Sequence, residues 1–229
     1  MIVSAWLSNN YIEVFGAIAG IVYVFLEIRQ TIWLWPVGII TSAVYIWVFF
    51  SSKFYADMSL QGYYLGISFL GWYWWTRGTG LKKDREKLRG RKGEKGRRRD
   101  LETEGLRDEE AKRLVVTRLN LKTGVLLAIV FVILNGLMWF VLSRFTDSPV
   151  PVWDAFITSL SIVATWMLAR KIYEHWFLWI VVNFVSAIIF IVKGLYPTVI
   201  LYIVYGVMSF AGLVAWKKTV SNDIRSLKI

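Results

Sequence analysis

Phe15 to Trp75 reads FGAIAGIVYVFLEIRQTIWLWPVGIITSAVYIWVFFSSKFYADMSLQGYYLGISFLGWYWW, and Phe156 to Trp216 reads FITSLSIVATWMLARKIYEHWFLWIVVNFVSAIIFIVKGLYPTVILYIVYGVMSFAGLVAW. The two stretches align without a gap at a fixed offset of 141, in the same direction. Phe15/Phe156, Arg29/Arg170, Trp35/Trp176, Tyr55/Tyr196, Tyr64/Tyr205, Ser68/Ser209, Gly71/Gly212 and Trp75/Trp216 are among the identical pairs. Apolar composition alone does not match so many Trp, Tyr, Arg and Gly positions. Repeats of this size, each with three apolar segments, build membrane transport proteins that hold substrate between the copies. A duplicated structural bundle is the plainer alternative.

Composition sets the class. The 229 residues are 56% hydrophobic with a mean hydropathy of +0.50, above the roughly 45 to 50% apolar usage of soluble domains. This is the composition of a membrane protein. Cysteine is absent, which removes disulfides, thiolate metal sites and cysteine nucleophiles. The single His175 removes multi-histidine metal centres. No cofactor and no catalytic residue is expected, because no acid/base pair or nucleophile-base set can be assembled. Sixteen of the 27 Lys and Arg residues fall between Arg77 and Arg118, so the net charge of +11 describes a loop and not a nucleic-acid face. Met1 to Asn10 lacks the charged n-region of a cleavable signal, so the first apolar segment is expected to stay in the membrane.

Crossing a core of about 30 Å takes roughly 20 mainly apolar residues. Seven stretches qualify: 11–28, 33–51, 57–76, 119–142, 153–170, 176–193 and 196–216. The resulting fold is all-α and integral to the membrane, with seven transmembrane helices in a 3+1+3 arrangement of parallel repeats. Its divisions are a first three-helix repeat at 1–76, a basic cytoplasmic loop at 77–118, and a linker helix at 119–142. A second repeat at 153–216 and a cytoplasmic tail at 217–229 complete it. The odd linker helix lets both repeats enter the bilayer in the same sense, giving a pseudo-twofold along the membrane normal.

Cations gather on the cytoplasmic side of short loops. With 77–118 inside, Arg29, Arg170, Lys171, Lys217 and Lys218 also lie inside, and only Lys53, Arg144 and Lys193 lie outside. The N-terminus is therefore expected outside and the C-terminus in the cytoplasm. Leu81 to Ala111 is too polar to bury a core; it is read as a solvated linker, partly helical around Glu102 to Arg113. It can attract anionic lipid headgroups or act only as a topology signal.

Polar groups inside hydrocarbon are costly, so those within the spans mark candidate sites. Trp176, Trp179 and Asn183 share one face of span 6 at i, i+3 and i+7. Gln61, Tyr64, Ser68, Trp72 and Trp75 form a stripe on span 3, matched on span 7 by Tyr202, Tyr205, Ser209 and Trp216. Span 2 supplies Trp35 and Ser42. Each has a structural alternative: Trp35, Trp75, Trp176 and Trp216 as an interfacial belt, the serines as close-packing residues, Asn183 and Gln61 as interhelical glue. Glu13, Glu27 and Asp57 lie near span ends, where they can reach water or pair with a neighbour such as Arg29. His175, at the cytoplasmic end of span 6, is read as a surface histidine in preference to a gate. Aromatic faces with carboxamides suit a flat polar heterocycle bearing amide or hydroxyl groups. A phosphorylated ligand fits less well, since no span centre carries Arg or Lys.

The segments Tyr55-Ala56-Asp57-Met58-Ser59-Leu60-Gln61-Gly62-Tyr63-Tyr64, Gly71-Trp72-Tyr73-Trp74-Trp75, Glu174 to Asn183 with its WxxWxxxN pattern, Lys193-Gly194-Leu195-Tyr196 and Trp216-Lys217-Lys218 resemble the PnuC-type vitamin transporters, specifically the nicotinamide riboside members. The resemblance covers both repeats and leaves out residues 77–118. It implies a SWEET-like fold, a homotrimer in the bacterial inner (plasma) membrane, and facilitated diffusion of unphosphorylated nicotinamide riboside, trapped afterwards by a cytosolic riboside kinase. It also assigns substrate contact to Trp176, Trp179 and Asn183, with Gln61 and Tyr64 following. Related branches carry thiamine or riboflavin, so another flat vitamin, or a sugar, is the alternative substrate. A seven-helix receptor or sensor is the alternative of another class.

Overall fold

Runs of apolar residues about 18 to 25 long leave no choice but helix in a bilayer, where every peptide N–H and C=O needs a partner within its own segment. The computed structural model describes residues 11–51, 55–77, 116–146, 148–192 and 194–226, without the side chains of 11–14, 55–57 and 221–226. Seven helices occupy them: α1 (Tyr11–Ile28), α2 (Leu34–Ser51), α3 (Tyr55–Arg77), α4 (Leu121–Phe145), α5 (Pro151–Ala169), α6 (His175–Val192) and α7 (Tyr196–Ser226). Among the described residues, five are long and apolar enough to cross a membrane: α2, α4, α5, α6 and Tyr196–Val220 of α7. The two others are the repeat partners of α5 and α7. The described part of α1 forms a shorter apolar helix, Phe15–Ile28, and α3 is diluted by Gln61, Ser68 and three glycines.

α7 continues without a break through residue 217, where the cytoplasmic tail is expected to begin, to Ser226. The basic loop and its partial helix around Glu102 to Arg113 lie outside the described residues, apart from Arg77 and 116–118.

The two copies share a turn that contains no glycine. Gln30, two residues past the end of α1, has φ 53, and Lys171, two residues past the end of α5, has φ 52, both in the left-handed region. Thr31 N–H donates to the Leu26 carbonyl at 3.1 Å, and Ile172 N–H to the Met167 carbonyl at 2.9 Å. Each is the six-to-one bond that closes a helix C-terminus and satisfies its last carbonyls. The reversal that starts each second helix is therefore the same in both copies.

The copies interlock through their first helices, each of which also packs on the second helix of its own copy. α1 packs on α7 of the other copy, α5 packs on α3 of the other copy, and α2·α3 and α6·α7 are the tight pairs within a copy. α4 packs on α5 and has no buried residue. The core lies at one end of the bundle: Leu34, Trp35, Ile67, Trp75, Leu168, Ala169, Trp176 and Trp216 form one buried cluster there. Gly71 and Gly212 let this end close, since a Cβ at either would run into the indole of Trp35 or Trp176. Towards the opposite end the packing opens, and a Cβ at Gly62 or Gly66 would meet nothing within 4 Å.

Candidate functional site

Asn183 sits midway along α6 and is 6% exposed. It donates through Nδ2 to Ser209 Oγ on α7 at 3.1 Å, and Ser209 donates to the Tyr205 carbonyl at 2.8 Å. Ser68 repeats the second bond in the first copy, donating to the Tyr64 carbonyl at 2.7 Å. The serines keep their hydroxyls satisfied within their own helices, which leaves the Asn183 amide as the group that distinguishes the second copy. Its counterpart Ser42 is also buried.

The position equivalent to Trp179 is Gly38. A Cβ there would lie 2.9 Å from Ser68 Oγ and 3.2 Å from the Tyr23 ring, so the first copy draws those groups in where the second holds an indole. Trp179 Nε1 is buried without a partner, as are the Nε1 atoms of Trp35 and Trp176. Buried donors without acceptors cost about 1 to 3 kcal/mol, and such groups invite a ligand.

Tyrosines line the seam between copies. Tyr64 faces Ser161 of α5 and Tyr202 of α7. Tyr202 stacks on Phe190 at 5.2 Å and meets Tyr205 edge-on at 5.9 Å. Tyr63 donates to the Ile162 carbonyl at 2.8 Å, tying α3 to α5. The hydroxyls of Tyr45 and Tyr205 lie against Gly16 and Gly20, one turn apart on α1. The sequence reading missed Tyr23, Tyr45, Tyr63 and Ser161. The three-residue step from Ser42 to Tyr45 was an available signal; the others needed the helix packing.

Of the expected residues, Tyr64, Tyr202 and Tyr205 fall along this seam, Asn183 bonds Ser209 beside it, and Trp179 packs against the buried cluster, with Ser42 buried on α2 and Gln61 half-buried on α3. Trp72 does not join them. It is 40% exposed, because the inward line of α3 runs Ser68, Gly71, Trp75 and leaves Trp72 on the flank. Trp35 and Trp176 lie deeper, in the packed end.

The belt reading of Trp75 and Trp216 is overturned. Both are buried, at 5% and 0% exposure, and both donate across the copy interface, Trp75 to the Ala169 carbonyl at 3.2 Å and Trp216 to the Glu27 carbonyl at 3.0 Å. His175 is no surface residue either. It is fully buried, with Nε2 2.9 Å from Glu27 Oε1; Glu27 therefore pairs with His175 and not with Arg29, whose guanidinium covers the Phe25 ring. The side chains of Glu13 and Asp57 lie outside the described part. Arg77, Arg170 and Lys171 cover the rings of Tyr73, Trp74 and Trp75, so these cations sit at helix ends away from Asn183.

The family described as nicotinamide mononucleotide transporter matches residues 10–218. The chain belongs to this family. The nicotinamide riboside transporter PnuC of Escherichia coli (strain K12) is 27% identical over 215 residues, spanning 90% of this chain and 85% of its own. The riboflavin/roseoflavin transporter RibM of Streptomyces davaonensis is 25% identical over 213 residues, 93% of this chain and 87% of its own. A crystal structure of the vitamin B3 transporter PnuC superposes with a TM-score of 0.66 over 96% of this chain and 86% of its own, at 22% identity, and has the same fold. The resemblance drawn from WxxWxxxN and GWYWW is thus borne out: this family member is a membrane transporter of PnuC type.

Proposed function

We propose that this transporter carries unphosphorylated nicotinamide riboside by facilitated diffusion, with the two copies rocking about a site at Asn183. All seven helices span the bilayer in a SWEET-like 3+1+3 arrangement, with the N-terminus outside and the C-terminus in the cytoplasm. The observation that carries the reading is Asn183 itself: a buried carboxamide at mid-helix, one turn from the unpartnered Trp179 indole, beside a seam lined by tyrosine. The pyridinium stacks on Trp179, with Trp176 and Trp35 as floor, while Asn183 and Gln61 take the carboxamide and ribose hydroxyls. Tyr64, Tyr202, Tyr205 and Ser42 complete the lining. With Arg77, Arg170 and Lys171 held at helix ends, riboside is favoured over its phosphate ester. A cytosolic kinase then traps the riboside, and α4 offers its unburied face to neighbouring copies in a homotrimer.

Riboflavin is the second reading, favoured by the likeness to RibM. Calorimetric titration separates the two. Riboside is expected to bind the wild type and to lose tenfold or more in affinity in Asn183→Ala, the loss of a hydrogen-bonded group worth about 1 to 3 kcal/mol. Unchanged affinity removes Asn183 from the site, and binding of riboflavin alone replaces the substrate.

A further inference from the structure

His175 and Glu27 meet at the packed end, the first residue of α6 against the last turn of α1, and this contact joins the two copies. His175 Nδ1 lies 2.7 Å from the Ile172 carbonyl oxygen. A carbonyl only accepts, so Nδ1 carries a hydrogen. Nε2 lies 2.9 Å from Glu27 Oε1. Two lone pairs do not meet at that distance, so a second hydrogen lies between them, as imidazolium with carboxylate or imidazole with carboxylic acid. Either way the pair holds one proton more than a neutral imidazole facing a carboxylate.

The surroundings isolate that proton. The imidazole is flanked by the rings of Trp176, tilted at 4.8 Å, and Trp216, edge-on at 4.7 Å, which keep water from it. Tyr23, one turn earlier on α1, is the other titratable group facing Glu27, with Tyr63 and Tyr64 of α3 beyond it. From the turn ahead of α6, Lys171 lies over Trp75 and Glu174 accepts from Leu119 N–H. Arg170 covers Trp74, Arg29 covers Phe25, and Lys217 and Lys218 of α7 are exposed.

We infer that Glu27 and His175 form a proton-held latch on this end of the transporter, which must release its proton before substrate passes there. The inference rests on the transport reading above. Parting α1 from α6 sends the shared proton to water and leaves Glu27 as carboxylate and His175 as neutral imidazole. The closed state binds the extra proton, so it is favoured at low pH and loses that advantage as pH rises. Nothing in this requires net proton transport, because the proton returns to the pair on closure.

The test measures riboside exchange in proteoliposomes at matched internal and external pH, beside ¹⁵N spectra of the imidazole, which report one residue because the chain has one histidine. In the wild type, exchange is expected to quicken as pH rises, in step with the change in the His175 signals. Glu27→Gln keeps the contact, its amide N–H donating to Nε2, but removes the carboxylate that holds the extra proton in the pair. It is expected to lose the pH dependence of exchange, and His175→Gln likewise. A wild-type pH profile retained in either variant overturns the latch, as does a His175 signal insensitive to Glu27→Gln. No riboside exchange at any pH overturns the substrate alone; the same pH series is then run with labelled riboflavin, where a profile lost in Glu27→Gln supports the latch and one retained overturns it.

Discussion

Trp216 donates its indole N–H to the Glu27 carbonyl, near the C-terminus of the first helix of the other copy. Trp75 does the same for the Ala169 carbonyl at the C-terminus of α5. The two acceptors differ by one residue in repeat register, since Glu27 corresponds to Leu168. Each tryptophan thus bonds a last-turn carbonyl of the first helix of the other copy, that of Glu27 being shared with Gln30 N–H at 3.0 Å. The same relationship occurs once in each direction between the two copies.

Trp216→Phe and Trp75→Phe should each destabilise the bundle by about 1 kcal/mol, the net worth of a buried hydrogen bond. Thermal unfolding in detergent should record a lower midpoint for both. An interfacial belt residue would give no loss.

Gly71→Ala and Gly212→Ala place a methyl against the indoles of Trp35 and Trp176. Overpacking of this kind costs about 1 to 3 kcal/mol. Gly62→Ala, with nothing within 4 Å, should be neutral or gain up to about 1 kcal/mol from helix propensity. The same unfolding measurement ranks the three, and equal effects would contradict the difference in packing between the ends.

Trp179→Ala should weaken riboside binding at least tenfold, about 1.4 kcal/mol, because it removes the ring proposed to stack on the pyridinium. Trp72→Ala should leave affinity within twofold. Fluorescence titration reads both, and a loss at Trp72 would return that residue to the site.

Deleting residues 85–108 should leave exchange near wild-type rates, because the described ends of that loop are held independently of it. Trp75 is bound to Ala169, and Thr117 bonds both Lys171 and Tyr173. A receptor signalling through the basic segment would lose its function.

The helices were legible because an apolar run of given length has one solution in a bilayer. The expected span 176–193 is α6 at His175–Val192, and 119–142 lies inside α4 save its first two residues. The burial of Asn183 was legible because a carboxamide at mid-helix in an apolar run has to turn inward. What escaped was rotation about a helix axis. Both Gly71 and Trp72 lie at helical spacing from Ser68, and only packing decides that the glycine faces inward. A tryptophan at a helix end reads as a belt until its N–H is found on a carbonyl of another helix. Glu27 and His175 are 148 residues apart in sequence, and no local pattern joins them. The left-handed Gln30 and Lys171 were hidden because neither is glycine.

The most direct measurement of the central claim is counterflow into proteoliposomes loaded with unlabelled nicotinamide riboside, against a panel of labelled vitamins. Labelled riboside should accumulate transiently without any ion gradient and be displaced by unlabelled riboside, while the mononucleotide, thiamine, riboflavin and sugars compete poorly. Accumulation of one of those compounds with no uptake of riboside would contradict it.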